Sequence, residues 1–560
     1  MNANQLYQSL VSAFQQGNYS QVLNTVDNIQ NQIGSIYEFE FLFGLCALKS
    51  NLLGSACKHL QNALDQKPND PQAIFHLALT LNQSGQLLNA QKVAAGLDNT
   101  SKANLQLKII IAQKICDFDE ALRYIDCLLK LAPKDEFALR SKATIYRQFG
   151  QPQSAQSCAD YLTTSSVANT LLKSGIAFDQ SDFATAEKEL LKGLNEFSDT
   201  PVLHETLNQL YWNTDNKQAF MSSFNNVTSN SKELLFAKVK SLILSKQWQQ
   251  AEEQLSGLKH TFKNDPTFIH LEAVVLSQNN NWSKASPLFE QAALLAPNNQ
   301  RFLIDLAICH IMDNDFNKAE HFLDKAHRID PSNQELWAYL GFVWQQTNQQ
   351  KFDWLYGKGD LIDAQLLATP NGYGSLDAYL ADLKDYLKSI HISSNTPLDQ
   401  SVRNGTQTTG NLIYYQHPLI KKFKHVMEQR VQNYINKLPN DPNHPTRIKL
   451  GRDFCFSGSW SVLLKDQGHH SNHVHPMGWI SGPTYIDIPD QIKPSDPEMS
   501  GWVKFGETSL AHPLNKVSKS ICPEPGVSVL FPSFMWHGTF PISGQNAERL
   551  TISLDVEPLA

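Results

Sequence analysis

Along the first three-fifths of the chain, small and apolar positions recur in a fixed frame. Ala285 and Ala319, Ala292 and Ala326, and Pro297 and Pro331 each stand 34 residues apart. Leu303, Leu306 and Ala307 precede Trp337, Leu340 and Gly341 by the same interval. Nearer the N-terminus Gly44, Ala56, Leu60, Ala63 and Pro68 fall on this frame, followed by Ala78 and Ala90, by Ala121 and Pro133, and by Ala143 and Ala155. Small residues at helix crossings let antiparallel helices approach closely, and each pair must stack on the next to bury its apolar face. Between 160 and 265 the frame degenerates, although FDQSDFATAEKELLKGLNEF still alternates as an amphipathic helix. The pattern predicts about ten helix pairs before residue 350.

After Gln350 the frame stops. Residues 351–375 carry KFDWLYGKGD and TPNGYGS, rich in glycine and turn formers, and predict a linker. SLDAYLADLKDYLKSI and PLIKKFKHVMEQRVQNYINK then predict two amphipathic helices. From about residue 448 short strands between Gly/Pro clusters take over: Trp460 to Lys465, Trp479 to Ile488, Trp502 to Gly506, Val527 to Phe531 and Leu550 to Val556. Such punctuation predicts a sandwich or jelly-roll barrel. The expected fold is multidomain α + β. An all-α solenoid spans 1–350, a linker 351–375, and a double-stranded β-helix (jelly-roll, cupin-like) with flanking helices 376–560.

Composition narrows the function classes. Apolar residues make up 41% of the chain, enough for a sizeable core, and charged residues only 18%, too few for a disordered or coiled-coil chain. A net charge of −7 provides no broad footprint for phosphate backbones, so nucleic acid is not an expected partner. None of the eight cysteines forms a CxxC pair, which speaks against a zinc ribbon or thioredoxin-like motif and fits free thiols. The opening MNANQLYQSLVSAFQQGNYS has neither a basic n-region nor an apolar h-region. No run of about 18 apolar residues occurs anywhere. A soluble, cytoplasmic protein without a membrane partner is expected.

Candidate chemistry concentrates in GHHSNHVHPMGWISG, residues 468–482. His473 and His475 form an H-x-H pair; at the end of a strand they would share one face and hold one metal. A third ligand must come from a distant strand, and His537 in FPSFMWHGTFP is the candidate. Downstream, Arg549, Thr551, Ser553 and Asp555 alternate with Leu550, Ile552, Leu554 and Val556. This is the pattern of a strand lining a wet pocket. A guanidinium there would clamp a carboxylate in bidentate fashion, with the Thr551 hydroxyl beside it. Glu548 and Asp555 are alternative partners for Arg549. His469 and His470 read as turn or supporting residues, and Trp460, Trp479, Trp502 and Trp536 as core.

The repeat frame, with its W-x2-L-G at Trp337 to Gly341, resembles the tetratricopeptide pattern. Residues from roughly 354 to 558 resemble the 2-oxoglutarate and Fe(II)-dependent oxygenases, most closely the family often fused to such repeats. The matching pieces are PLDQSVRNGTQTTGNL, GSWSVLL, GHHSNHVHPMGWISG, GWVKFGE and LFPSFMWHGTFP. The resemblance implies a dioxygenase acting as a hydroxylase, with Fe(II) on His473, His475 and His537. It also implies 2-oxoglutarate as cosubstrate, its far carboxylate on Arg549 and Thr551. Tyr485, on the strand after the H-x-H pair, would hydrogen-bond that cosubstrate or serve as a core residue. The repeats imply a protein or peptide substrate held in their concave groove. One position departs from the family: its triad is two histidines and a carboxylate, and His475 stands where the carboxylate belongs. Asp487 is the alternative carboxylate, and nothing in the spacing favours it over His475. Two other readings stay open, a cupin-like metal enzyme that does not use 2-oxoglutarate and an inactive repeat scaffold for protein–protein interaction.

Overall fold

Helices run in antiparallel pairs from Ala3–Gln15 to Gln349–Tyr356, and the alanines of the 34-residue frame lie where they cross. Ala56, Ala63, Ala285, Ala292, Ala319 and Ala326 are wholly buried. Gly44 marks the tightest approach, for a Cβ there would come within 2.5 Å of the Leu60 side chain. Aspartates open many of the helices. Asp70, Asp117, Asp135, Asp182, Asp265 and Asp315 each accept a hydrogen bond from a backbone N–H of the first turn. The computed structural model describes residues 3–559 other than 228, 230, 358–360, 394, 397, 399 and 449–452. Pro397 and Asp399 of the PLDQS stretch therefore lie outside the described residues.

The degenerate middle keeps the frame in its backbone. The two helices of a pair are joined through one residue in the left-handed region: Gly17, Asn51, Gly85, Cys116, Gly150, Ser181, Asp215, Lys246, Asn280 and Asn314. Successive members are 34 or 31 residues apart. The shorter intervals explain why a strict period fails between 160 and 265. Ser181 and Lys246 explain why a search for glycine or asparagine turns fails there too, since these residue types seldom adopt positive φ.

Among the described residues, nine antiparallel strands build the C-terminal double-stranded β-helix: β1 Asp363–Leu366, β2 Val402–Gln407, β3 Phe454–His470, β4 Ile480–Asp487, β5 Val503–Phe505, β6 Lys519–Ile521, β7 Val527–Pro532, β8 His537–Thr539 and β9 Arg549–Pro558. The larger sheet has the order β1-β7-β4-β9-β3-β2 and the smaller β6-β5-β8. Between them Phe505 and Phe531 meet edge to face, with ring centres 5.0 Å apart. The five predicted strands correspond to β3, β4, β5, β7 and β9. β3 extends well beyond Trp460–Lys465; β1, β6 and β8 have only three or four residues, too few for a period of two to be visible, and β2 (VRNGTQ) has Val402 as its one apolar residue. The two predicted helices are Leu376–Ser389 and Pro418–Ile435.

Residues 351–375 do not form a plain linker. Helix Gln349–Tyr356 closes the solenoid, and β1 is the edge of the larger sheet, paired with β7. Arg430 holds Asp363 of β1 at 2.9 Å, and the Tyr434 hydroxyl donates to the Leu361 carbonyl at 2.7 Å. Tertiary pairing supplies what the turn-rich composition concealed. The solenoid also packs on the barrel. Tyr339 meets Trp536 edge to face at 5.3 Å, Phe118 meets Tyr414 at 4.9 Å, and Trp212 Nε1 donates to the Thr396 carbonyl at 2.8 Å.

Candidate metal centre

His473, His475 and His537 converge. One ring nitrogen from each lies within 4.8 Å of those of the other two. His473 and His475 do not end a strand, as their spacing suggested; they follow β3 in the connection to β4. There His473 forms an isolated bridge with His537 at the start of β8. The His475 amide donates to the Ser533 carbonyl at 3.1 Å. The Asn472 side-chain amide pins the segment from behind, donating to Glu507 and to the Thr508 carbonyl at 3.0 Å each.

Each Nδ1 faces an acceptor. His473 Nδ1 lies 2.8 Å from the Ser471 carbonyl, His537 Nδ1 2.9 Å from the Met535 carbonyl, and His475 Nδ1 2.9 Å from Asp555 Oδ2. The network places the N–H on Nδ1 and presents the Nε2 lone pairs to a metal, that of His473 lying 3.3 Å from the Ser401 hydroxyl. Burial, reinforced by neighbouring His475, pushes His473 down to about 3, and burial also holds His537 well below the usual histidine range. Burial works against a charged His475 as well, but the Asp555 carboxylate prevails and raises it.

The opposite wall comes from β9 and β4. Arg549, Thr551, Ser553 and Asp555 line one cleft of about 700 Å³ together with the three histidines and Tyr485. In the ladders Thr551 pairs with Tyr485 on one side and Val462 on the other. Arg549 is 2% exposed and donates to the Gly501 carbonyl. Among the described residues no carboxylate pairs with it, and its Nε has no hydrogen-bond partner. The alternative partners are engaged elsewhere: Glu548 with Lys388 at 2.7 Å, Asp555 with His475. The Tyr485 hydroxyl is likewise buried without a partner, and its ring centre lies 5.8 Å from the Arg549 guanidinium carbon. A buried guanidinium with an unpartnered Nε and a buried hydroxyl without a partner fit an anionic ligand that accepts hydrogen bonds. Three neutral imidazoles fit a divalent ion such as Fe(II).

Other sequence candidates separate cleanly. Asp487 pairs with Lys384 at 2.8 Å and does not line the cleft. His469 turns back to the Gln467 carbonyl at 3.1 Å. His470 does line the cleft, sharing the Ser401 hydroxyl with His473 at 2.9 and 3.3 Å. Trp479 and Trp536 are core, whereas Trp460 lines the cleft with its ring 6.3 Å from that of His475 at an interplanar angle of 16°. Sequence reasoning missed Ser401 and the pairing of Asp555 with His475. Asp555 stood on the predicted polar face of β9, but its partner lies 80 residues away.

The family model described as "Putative 2OG-Fe(II) oxygenase" matches residues 458–555, a span that includes the three histidines and Arg549. A tetratricopeptide-repeat model matches residues 276–349. No curated protein was found to match the chain. Among solved structures, a tetratricopeptide repeat protein from Parabacteroides merdae ATCC 43184 is 15% identical, with 49% of this chain and 98% of that chain covered and a TM-score of 0.31. A prolyl-4-hydroxylase from Pseudomonas putida is 14% identical, with 35% and 92% covered and a TM-score of 0.25. At these TM-scores neither likeness adds to the geometry of the site. Among the described residues no helix is long and apolar enough to cross a membrane.

Proposed function

We propose that this chain, which joins a tetratricopeptide-repeat region to a 2-oxoglutarate-Fe(II) oxygenase domain, is a dioxygenase that hydroxylates a protein or peptide substrate recruited by its repeats. One observation carries the reading: three convergent histidine nitrogens share a cleft with a buried arginine that has no carboxylate partner among the described residues. His473, His475 and His537 would hold Fe(II). Arg549, with Thr551 and Tyr485, would hold the far carboxylate of 2-oxoglutarate. Bound together, the metal and 2-oxoglutarate supply oxidising power, with dioxygen consumed and succinate and carbon dioxide released.

The chain's own residues bind, orient and exclude water. The Nδ1 hydrogen bonds fix the imidazole planes, so ligation costs little reorganisation. Arg549 fixes the orientation of the cosubstrate through a charge-assisted fork. Phe531, with its ring centre 4.6 Å from that of His537, keeps one side of the site dry. Helix Gln334–Thr347 of the last repeat meets the edge of the cleft, where the Gln334 amide donates to the Pro476 carbonyl at 2.9 Å. A segment captured by the repeats would thus lie near the chemistry. In this reading residues 1–350 recruit, and residues 376–560 react together with the edge strand β1.

The test is succinate release by Fe(II)-loaded protein, purified without oxygen and then given 2-oxoglutarate and air. Slow turnover in the wild type, lost in His537→Ala and Arg549→Ala, is expected. Metal-loaded protein that fails to bind 2-oxoglutarate would sink the reading. That outcome would favour a cupin-like metal enzyme without 2-oxoglutarate, a reading to which three imidazoles in place of two and a carboxylate also lend support.

A further inference from the structure

His475 is held differently from its two neighbours. His473 and His537 donate their Nδ1–H to backbone carbonyls, whereas His475 donates to a carboxylate, Asp555 Oδ2. The contact is built into the larger sheet, because the β4–β9 register sets Ser481 directly beside Asp555. The Ser481 hydroxyl donates to Asp555 Oδ1 at 2.6 Å and lies 2.7 Å from the Ser533 hydroxyl. Both serines are essentially inaccessible. Gly478 makes room for this arrangement, since a Cβ there would come within 2.5 Å of Ser533 Oγ.

No lysine or arginine bridges to Asp555 among the described residues; its charged partner is His475. A carboxylate withdrawn from water without a permanent cation is costly. Aiming an imidazole needs no such charge, as the carbonyls behind His473 and His537 demonstrate. The charge itself therefore calls for an explanation, and the ligand set supplies one. Three neutral imidazoles leave a divalent ion's charge uncompensated, where two histidines and a carboxylate would offset half of it. A carboxylate accepting from Nδ1–H makes Nε2 the stronger donor.

We propose that Asp555 is a positioning residue that returns to the metal, through the His475 imidazole, the negative charge that a directly bound carboxylate would otherwise provide. The proposal rests on the three-histidine reading above and deepens it: His475 and Asp555 act as one anionic ligand unit, with Ser481 fixing the carboxylate.

The probe is Co(II), added without oxygen to the full-length chain, with affinity measured by chelator competition and the ligand field read from visible absorption. Asp555→Asn keeps an oxygen acceptor for His475 and removes only the charge. Asp555→Ser is the second variant should the first fail to fold, with folding checked by circular dichroism. Either folded variant is expected to bind Co(II) about 10- to 100-fold more weakly, with shifted absorption bands and no loss in the thermal midpoint of the metal-free protein. Affinity within twofold of wild type together with an unchanged spectrum overturns the proposal. The underlying reading fails separately, if wild type takes up no Co(II) or His537→Ala takes it up equally well.

Discussion

His473 and His537 hold each other by their backbones: the amide of His473 donates to the carbonyl of His537 at 2.9 Å, and the amide of His537 donates back at 3.1 Å. Their rings stand 4.2 Å apart between centres. Two candidate ligands from segments distant in sequence are thereby placed by peptide groups, which vary far less in position than side chains do.

Phe531 backs this pair. It is fully buried, and truncation would leave a cavity beside His537. Phe531→Ala is expected to cost about 3–5 kcal/mol of barrel stability and to weaken metal binding, whereas Phe531→Leu should retain most of both. Urea unfolding combined with Co(II) titration checks the pair of substitutions.

Arg549 is a buried cation with no carboxylate partner among the described residues. Arg549→Met should leave the metal-free protein within about 1 kcal/mol of wild type or make it more stable, because an unpaired buried charge is removed. With metal bound, 2-oxoglutarate at about 100 times its Kd should add about 2.7 kcal/mol to wild type and nothing to the variant. Thermal shift with and without 2-oxoglutarate reads the difference, and an undiminished shift in Arg549→Met would assign the carboxylate to other residues.

Gly482, in the middle of β4, allows the sheet to close. A Cβ at this position would stand 1.9 Å from the Val529 carbonyl oxygen, a backbone atom that cannot swing away. Gly482→Ala is expected to cost at least the upper end of the roughly 1–3 kcal/mol typical of overpacking. It should also disturb the β4–β9 register on which Ser481 and Asp555 depend. Circular dichroism melting and metal affinity should fall together.

His391 makes stability depend on pH. Both its nitrogens are engaged, with the Thr406 hydroxyl at 2.8 Å and the Ser461 hydroxyl at 3.1 Å, and burial drives its pKa down to about 4, with Lys465 adding to the effect. The folded pKa thus lies below that of the unfolded chain, about 6.5, and the unfolded state takes up the proton first. The contribution is fully present above about 6.5 and is lost as pH falls through 4, with a slope of at most about 1.4 kcal/mol per pH unit. Urea midpoints between pH 7 and pH 4 should fall less steeply for His391→Gln than for wild type.

Much of this was legible in the order of residues. The solenoid announced itself because each helix pair packs on a neighbour about one period along the chain, so its small residues must recur at that interval. The alternation from Arg549 to Val556 likewise displayed a polar face, because one strand's two faces are determined by its own covalent geometry. The H-x-H pair and His537 stood out by residue type and local setting.

Other features were settled only by contacts between distant segments. Ser181, Asp215 and Lys246 carry the repeat turns through the middle of the solenoid without the residue types a turn usually favours. The four residues of β1 form a strand only because β7 offers an open edge. On sequence grounds Asp555 was a candidate partner for Arg549; the tertiary structure gave it to His475 instead and left Arg549 without a carboxylate partner among the described residues. A residue's sequence determines its local periodicity and chemical capacity. Which capacity is used depends on the register between strands far apart in the chain, and a shift of one residue would turn these side chains to the opposite face.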